Sequence, residues 1–124
     1  MTPHVQLSEQ DDATLMLRVR EDDRDAFAVL VKRHQKMLLN FFARSGVQYD
    51  YEDLVQQTFL RLYRYRDRYV ATAKFTTFLF LLARQVWIDE LRRRKRQERL
   101  VAGLSAEPKP EYVDPVASDA TASG

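Results

Sequence analysis

The chain predicts an all-α fold, a compact bundle of about four helices followed by a flexible C-terminal tail. Three observations carry that prediction. Apolar residues recur at three- and four-residue steps over four separate stretches, and no run alternates as a half-buried strand would. The first three stretches each begin just after an aspartate suited to capping a helix N-terminus. Finally, 124 residues with 45% hydrophobic side chains supply one core of ordinary size and not two.

The elements follow in order. Ser8 and Asp11 form a capping pattern before "DDATLMLRVR", where Leu15, Met16 and Val19 suit a short first helix. The polar joint "EDDRD" offers Asp22 or Asp23 as the next cap, and a second helix runs from about Arg24 to Arg44. Its inward residues are Phe27, Leu30, Val31, His34, Leu38 and Phe41. "SGV" ends it, with Gly46 supplying the left-handed residue that helix C-termini often need. Asp50 caps a third helix from Tyr51 to about Tyr65, and a fourth starts near Phe75 or Thr76 and continues to about Leu100. Residues 1–102 are therefore expected to form the helical domain. From 103 to 124 the composition turns to Pro, Ala, Ser, Glu and Asp, which predicts a disordered linker or tail.

Charge and composition exclude several classes. The absence of Cys removes disulfide frameworks, thiol nucleophiles and Cys-based metal sites. The polar, acidic start "MTPHVQLSEQDD" has no signal-peptide pattern. The longest mostly apolar run, Phe75 to Ala83, is less than half of what a bilayer requires, so no membrane insertion is expected. Net charge is only +2, but residues 61–99 hold twelve Lys and Arg against four Asp and Glu, while the rest holds eight against fourteen. One strongly basic segment in a near-neutral chain predicts a polyanionic partner at that segment.

On the third helix, Leu54, Val55, Thr58, Phe59 and Leu62 fall within an arc of roughly 140° and form the core face. Asp53, Gln56, Gln57 and Leu60 cluster on the opposite side. They form either a solvated surface with one stray leucine or a docking face with Leu60 as its apolar anchor. On the fourth helix, Phe75, Phe78, Leu79, Leu82, Ala83 and Val86 define one apolar face, while Phe80, Leu81, Trp87 and Ile88 lie largely on the other. Such an all-round apolar helix belongs at the centre of a bundle. Arg84, Gln85, Ile88 and Arg92 share an arc away from Phe78 and Leu82, and Arg94, Lys95, Arg96 and Arg99 carry the basic character to the helix end.

Between these helices, "YRYRDRYVATAKFTTF" interleaves Tyr63, Tyr65 and Tyr69 with Arg64, Arg66 and Arg68 before Lys74 and two phenylalanines. Single-stranded nucleic acid offers faces for stacking and phosphates for pairing, and its binders alternate rings and cations in this way. Tyr65 and Tyr69 are the rings most readily assigned to packing, with their hydroxyls at the surface. Arg64, Arg66, Arg68 and Lys74 then supply salt-dependent phosphate contacts.

At "DLVQQTFLRLYRYRDRY" and "KFTTFLFLLARQVWIDELRRRKR", together with the opening "LMLRVREDDRDAFAVLVKRH", the chain resembles region 2 of bacterial RNA polymerase sigma factors of the extracytoplasmic function group. The resemblance covers roughly Asp11 to Arg99. It implies a cytoplasmic transcription initiation module that binds core RNA polymerase and stabilises the opened promoter −10 element. The third-helix face of Asp53, Gln56, Gln57 and Leu60 would dock on the β′ clamp. The loop and start of the fourth helix, with Tyr65, Arg66, Arg68, Tyr69, Lys74, Phe75, Thr77 and Phe78, would capture an unstacked base of the non-template strand, an event that costs a few kcal/mol. Gln85 and Ile88 would read the upstream duplex edge, where Gln can pair bidentately with adenine. Arg84 and Arg92 would hold phosphates, and an anti-sigma factor is a further candidate partner.

The sequence departs from the family pattern at three places. Gln57 replaces a common acidic residue, and Leu81 and Leu82 stand where housekeeping sigma factors carry a tryptophan pair, so promoter opening should be more sequence-stringent. Gln85 stands where this group often has Asn. The helix-turn-helix domain that reads the −35 element is absent from the chain, so this segment is expected to bind polymerase better than a promoter. No cofactor, metal or catalytic residue is expected: His34 suits a packed or surface position, and Asp50, Glu52 and Asp53 are explained by capping and the helix dipole. The competing reading is a helical adaptor that occupies the polymerase clamp, or an anti-sigma partner, without reading DNA. A general single-strand binder is a third.

Overall fold

The computed structural model describes residues 6–45 and 50–103. Among these residues four α-helices form: α1 Asp12–Arg20, α2 Arg24–Ala43, α3 Tyr51–Arg64 and α4 Phe75–Val101, with short 3-10 turns at Leu7–Glu9 and Arg66–Arg68. The all-α expectation therefore holds, and each boundary falls within one or two residues of the sequence reading. The positions proposed for Gly46 and for the tail beyond Gly103 lie outside the described residues.

The helix starts are set by the expected aspartates. Asp11 accepts from the Thr14 amide, Asp23 from Ala26 and Asp50 from Asp53. The Thr14 hydrogen bonds hold the Asp11 carboxyl below its ordinary value. Replacing Asp50 with alanine frees an orphan amide at the head of α3 and should cost about 1 kcal/mol. A lower urea midpoint at unchanged slope would register it. At the far end Gly103 adopts φ 74° and its amide donates to the Leu100 carbonyl, a left-handed stop for α4. Between α1 and α2 the chain turns through Asp22 at φ 66°, while the Asp23 amide reaches back to the Arg18 carbonyl.

The core takes Leu15, Met16 and Val19 from α1, and Leu54, Val55, Thr58, Phe59 and Leu62 from α3, as predicted. From α4 it takes Phe75, Phe78, Leu79, Leu82, Ala83 and Val86, also as predicted. On α2 the buried row is Ala26, Leu30, His34, Leu38 and Phe42, successive four-residue steps along one ridge. Phe42 is therefore the fully buried ring, and Phe41, expected inward, is half-buried against Phe80 at 5.5 Å between ring centroids. Each such buried side chain contributes about 1.5–3 kcal/mol of apolar burial.

Ring pairs fix how the helices lie. Phe27 meets Phe59 and Tyr63, whereas Leu39 shares a groove with Glu52 and Val55, so α3 runs antiparallel to α2. His34 packs 5.3 Å from Phe75, Phe41 packs on Phe80, and Phe42 lies 6.3 Å from Trp87, so α4 crosses α2 in the same general direction. His34 is thus a packed histidine, with Nε2 3.0 Å from the Asp12 carboxylate. Arg61 of α3 and Asp89 of α4 close the other side with a 2.5 Å ion pair. No described helix is long and apolar enough to cross a membrane.

Candidate nucleic-acid interface

The segment joining α3 to α4 is held by what it buries. Tyr69 is only 1% exposed, and its ring makes edge-to-face contacts with Phe75 at 6.0 Å and Phe78 at 5.5 Å. Its hydroxyl donates to the Ala73 carbonyl at 2.9 Å, and its own carbonyl accepts from Arg20 of α1 at 3.4 Å. Burial, with Asp11 and Asp12 nearby, pushes the Tyr69 phenol above its ordinary value. The loop is therefore tied at Tyr69 and Phe75, while Val70, Ala71, Thr72, Ala73 and Lys74 between them face outward.

This placement agrees with the packing role read for Tyr69 and the core face read for Phe75 and Phe78, and corrects the surface position expected for the Tyr69 hydroxyl. Tyr69, Phe75 and Phe78 do not present their rings at the surface, because the three pack on one another beneath the loop. Nor does the Tyr69 hydroxyl reach solvent as expected, since it closes the loop on Ala73. The three rings shape the loop from beneath.

The remaining candidates stay accessible. Tyr65 is half-buried, with the Arg68 guanidinium 5.7 Å from its ring centroid. Arg66 stacks 4.2 Å from the Tyr63 ring centroid and donates to the Tyr63 carbonyl at 2.9 Å. These cation–π pairs hold both cations at the loop margin. Lys74 and Thr77 are exposed at the head of α4. Farther along α4, Arg84 and Arg92 are exposed and Gln85 and Ile88 half-buried on the outer face, so the predicted reading arc forms as one surface.

Two supports have no counterpart in the sequence pattern. The Tyr63 hydroxyl donates to Asp22, which raises the phenol's pKa and ties the end of α3 to the α1–α2 turn. Arg20 reaches the loop from a helix 49 residues away in sequence. The Tyr63–Arg66 stack did have a signal, the three-residue spacing of ring and cation.

On the opposite face of α3, Asp53 and Gln56 are exposed, Gln57 is half-buried and Leu60 is 67% exposed. Gln57 donates to Asp53 at 2.7 Å, so these two present a paired polar unit. Gln56 borders a groove of about 390 Å³ between α2 and α3, lined also by Gln35, Lys36, Leu39, Glu52 and Val55. The four predicted docking residues are therefore brought onto one side of one helix.

The described residues thus form a four-helix domain with a cation-bearing loop at one end and, on α3, a polar face that includes an exposed leucine. Residues 30–97 match the family described as Sigma-70 region 2, and the chain belongs to that family. It is 35% identical over 78 residues to the ECF RNA polymerase sigma-E factor of Escherichia coli, covering 62% of this chain and 41% of that protein. It is 32% identical over 79 residues to the ECF RNA polymerase sigma factor SigW of Bacillus subtilis, covering 63% and 42%. The chain thus spans about two fifths of the length of these curated relatives. Among solved structures it is similar to an engineered region 2 of sigmaE in complex with GTAAAA. The TM-score is 0.67 and the identity 30%, over 72% of this chain and 94% of that one.

Proposed function

We propose that the chain is a non-catalytic transcription initiation module of the cytoplasm. It binds core RNA polymerase through α3 and recognises and stabilises the opened promoter −10 element through the α3–α4 loop and α4. The observation that carries this reading is the single outer surface running from Lys74 and Thr77 through Arg84 and Gln85 to Ile88 and Arg92. The similar sigmaE region 2, solved in complex with GTAAAA, supports it.

Each part has a physical task. The exposed loop, with Arg66 and Arg68 at its margin and Lys74 at its end, receives an unstacked non-template base and its phosphates, returning the few kcal/mol that unstacking costs. Tyr65 borders that site as an accessible ring. Gln85 offers a paired donor and acceptor to an adenine edge, Ile88 an apolar neighbour, and Arg84 and Arg92 the flanking phosphate contacts. On α3, Asp53, Gln56, Gln57 and Leu60 meet the β′ clamp.

The test is selection from a −10 oligonucleotide library by the chain bound to core polymerase, at a fixed salt concentration. Polymerase-dependent enrichment of particular sequences is the expected result; polymerase binding with no enrichment would favour an adaptor. In the same assay Gln85→Ala should lose about 1–3 kcal/mol of discrimination at one position while other positions keep theirs.

A further inference from the structure

A second groove lies one helical turn from the proposed reading surface. Lys36, Met37, Asn40, Phe41, Arg44 and Ser45 of α2 and its C-terminal turn, with Phe80 of α4, line an open groove of about 560 Å³. That is within the usual range for small-ligand sites, about 300–1,000 Å³. Lys36, Asn40 and Arg44 stand at four-residue steps along α2 and all three are exposed. The floor is made of rings, Phe80 lying 5.5 Å from Phe41 at 55°. No carboxylate lines it among the described residues.

We propose that this groove is a second nucleotide subsite, seating a base of the same single strand on the Gln85 side of the one received by the α3–α4 loop. The inference rests on the function proposed above. Its chemistry is that of single-strand binding, with a half-buried ring for stacking, two cations for phosphates and an amide for a base edge. Its position is continuous with the reading surface, because Phe80 is three residues beyond Thr77 and four before Arg84 and so shares their face of α4. Phe80 is six positions beyond Lys74, about 9 Å along the helix axis. An unstacked strand spans more per nucleotide than the duplex rise of about 3.4 Å, so that distance is at most two to three nucleotides.

The experiment compares d(GTAAAA) with the same oligonucleotide lengthened by three thymidines at its 5′ or its 3′ end, read by fluorescence anisotropy of the labelled strand on the 124-residue chain bound to core polymerase. Extension at one end is expected to tighten binding about tenfold, the order of one added base stack. Phe80→Ala should remove that gain and leave the hexamer affinity unchanged. Lys36→Ala with Arg44→Ala, a surface change that spares the core, should lower the log–log salt slope for the longer strand by about 1.4. No gain at either end, or a gain that survives both variants, would overturn the subsite while leaving the parent reading intact. Failure of even the hexamer to bind would overturn both. Seating of an acidic peptide, blocked by the same substitutions while no oligonucleotide is affected, would make the groove a protein seat and overturn the proposal.

Discussion

Replacing Tyr69 with alanine will remove about 3–5 kcal/mol of stability, the range for deleting a fully buried aromatic side chain. Domains of this kind hold only about 5–15 kcal/mol in total, so the variant should sit close to its unfolding threshold at room temperature. The loss has two sources. The ring leaves a void between Phe75 and Phe78, and the loop loses the hydrogen bond that closes it on Ala73. Tyr69→Phe separates them, because it keeps the packing and removes only the hydroxyl, at a cost of about 1 kcal/mol. Urea unfolding checks both values, and a drop as small for alanine as for phenylalanine would contradict that packing.

The same pair reports on pH. Burial raises the phenol of Tyr69, so the folded state holds that proton more tightly than the unfolded chain does. The resulting stability is complete below about pH 10, the ordinary tyrosine value, and is lost as pH rises through the higher folded value. Tyr69→Phe should therefore flatten the alkaline arm of the stability profile, measured as melting temperature against pH.

Leu60→Asp is expected to weaken binding to core polymerase by about thirtyfold or more, the effect of losing an apolar anchor worth roughly 2 kcal/mol. Leu60 is 67% exposed, so the fold itself should change by no more than about 0.5 kcal/mol. The contrast between the two numbers is the test. A surface leucine with no partner would leave both unchanged, whereas a docking anchor loses affinity while its melting temperature stays where it was. Titration of labelled chain with core polymerase, alongside thermal unfolding, separates these outcomes.

Much of the fold was legible because local chemistry and tertiary packing agree. The caps at Asp11 and Asp50 and the buried faces of α3 and α4 follow from spacing alone, whereas spacing allowed Asp22 as well as Asp23 and the structure selects Asp23. The error at Phe41 and Phe42 shows the limit of that method, since adjacent rings differ by only 100° of rotation and the α2 ridge at four-residue steps favours Phe42. At the loop the sequence signal was ambiguous in a different way. Rings and cations in alternation suit both stacking on bases and stacking on each other. Here Tyr63 and Tyr65 carry arginines while Tyr69 turns inward. The Tyr63–Asp22 and Arg20–Tyr69 hydrogen bonds link residues more than forty positions apart, which no local pattern encodes.

Because α4 continues unbroken for 27 residues, it can serve as a molecular ruler. Lys74 and Gln85 are eleven residues apart, a fixed span of about 16 Å that no side-chain adjustment can alter much. On the proposed reading, the distance between the captured nucleotide and the duplex edge is therefore gauged by covalent geometry and not by a flexible hinge. One residue inserted between Phe80 and Gln85 would lengthen the gauge by only about 1.5 Å, yet it would swing Gln85 about 100° around the axis. A promoter with one extra nucleotide between those points would then be misread for the same reason, and spacing would be discriminated as strictly as base identity.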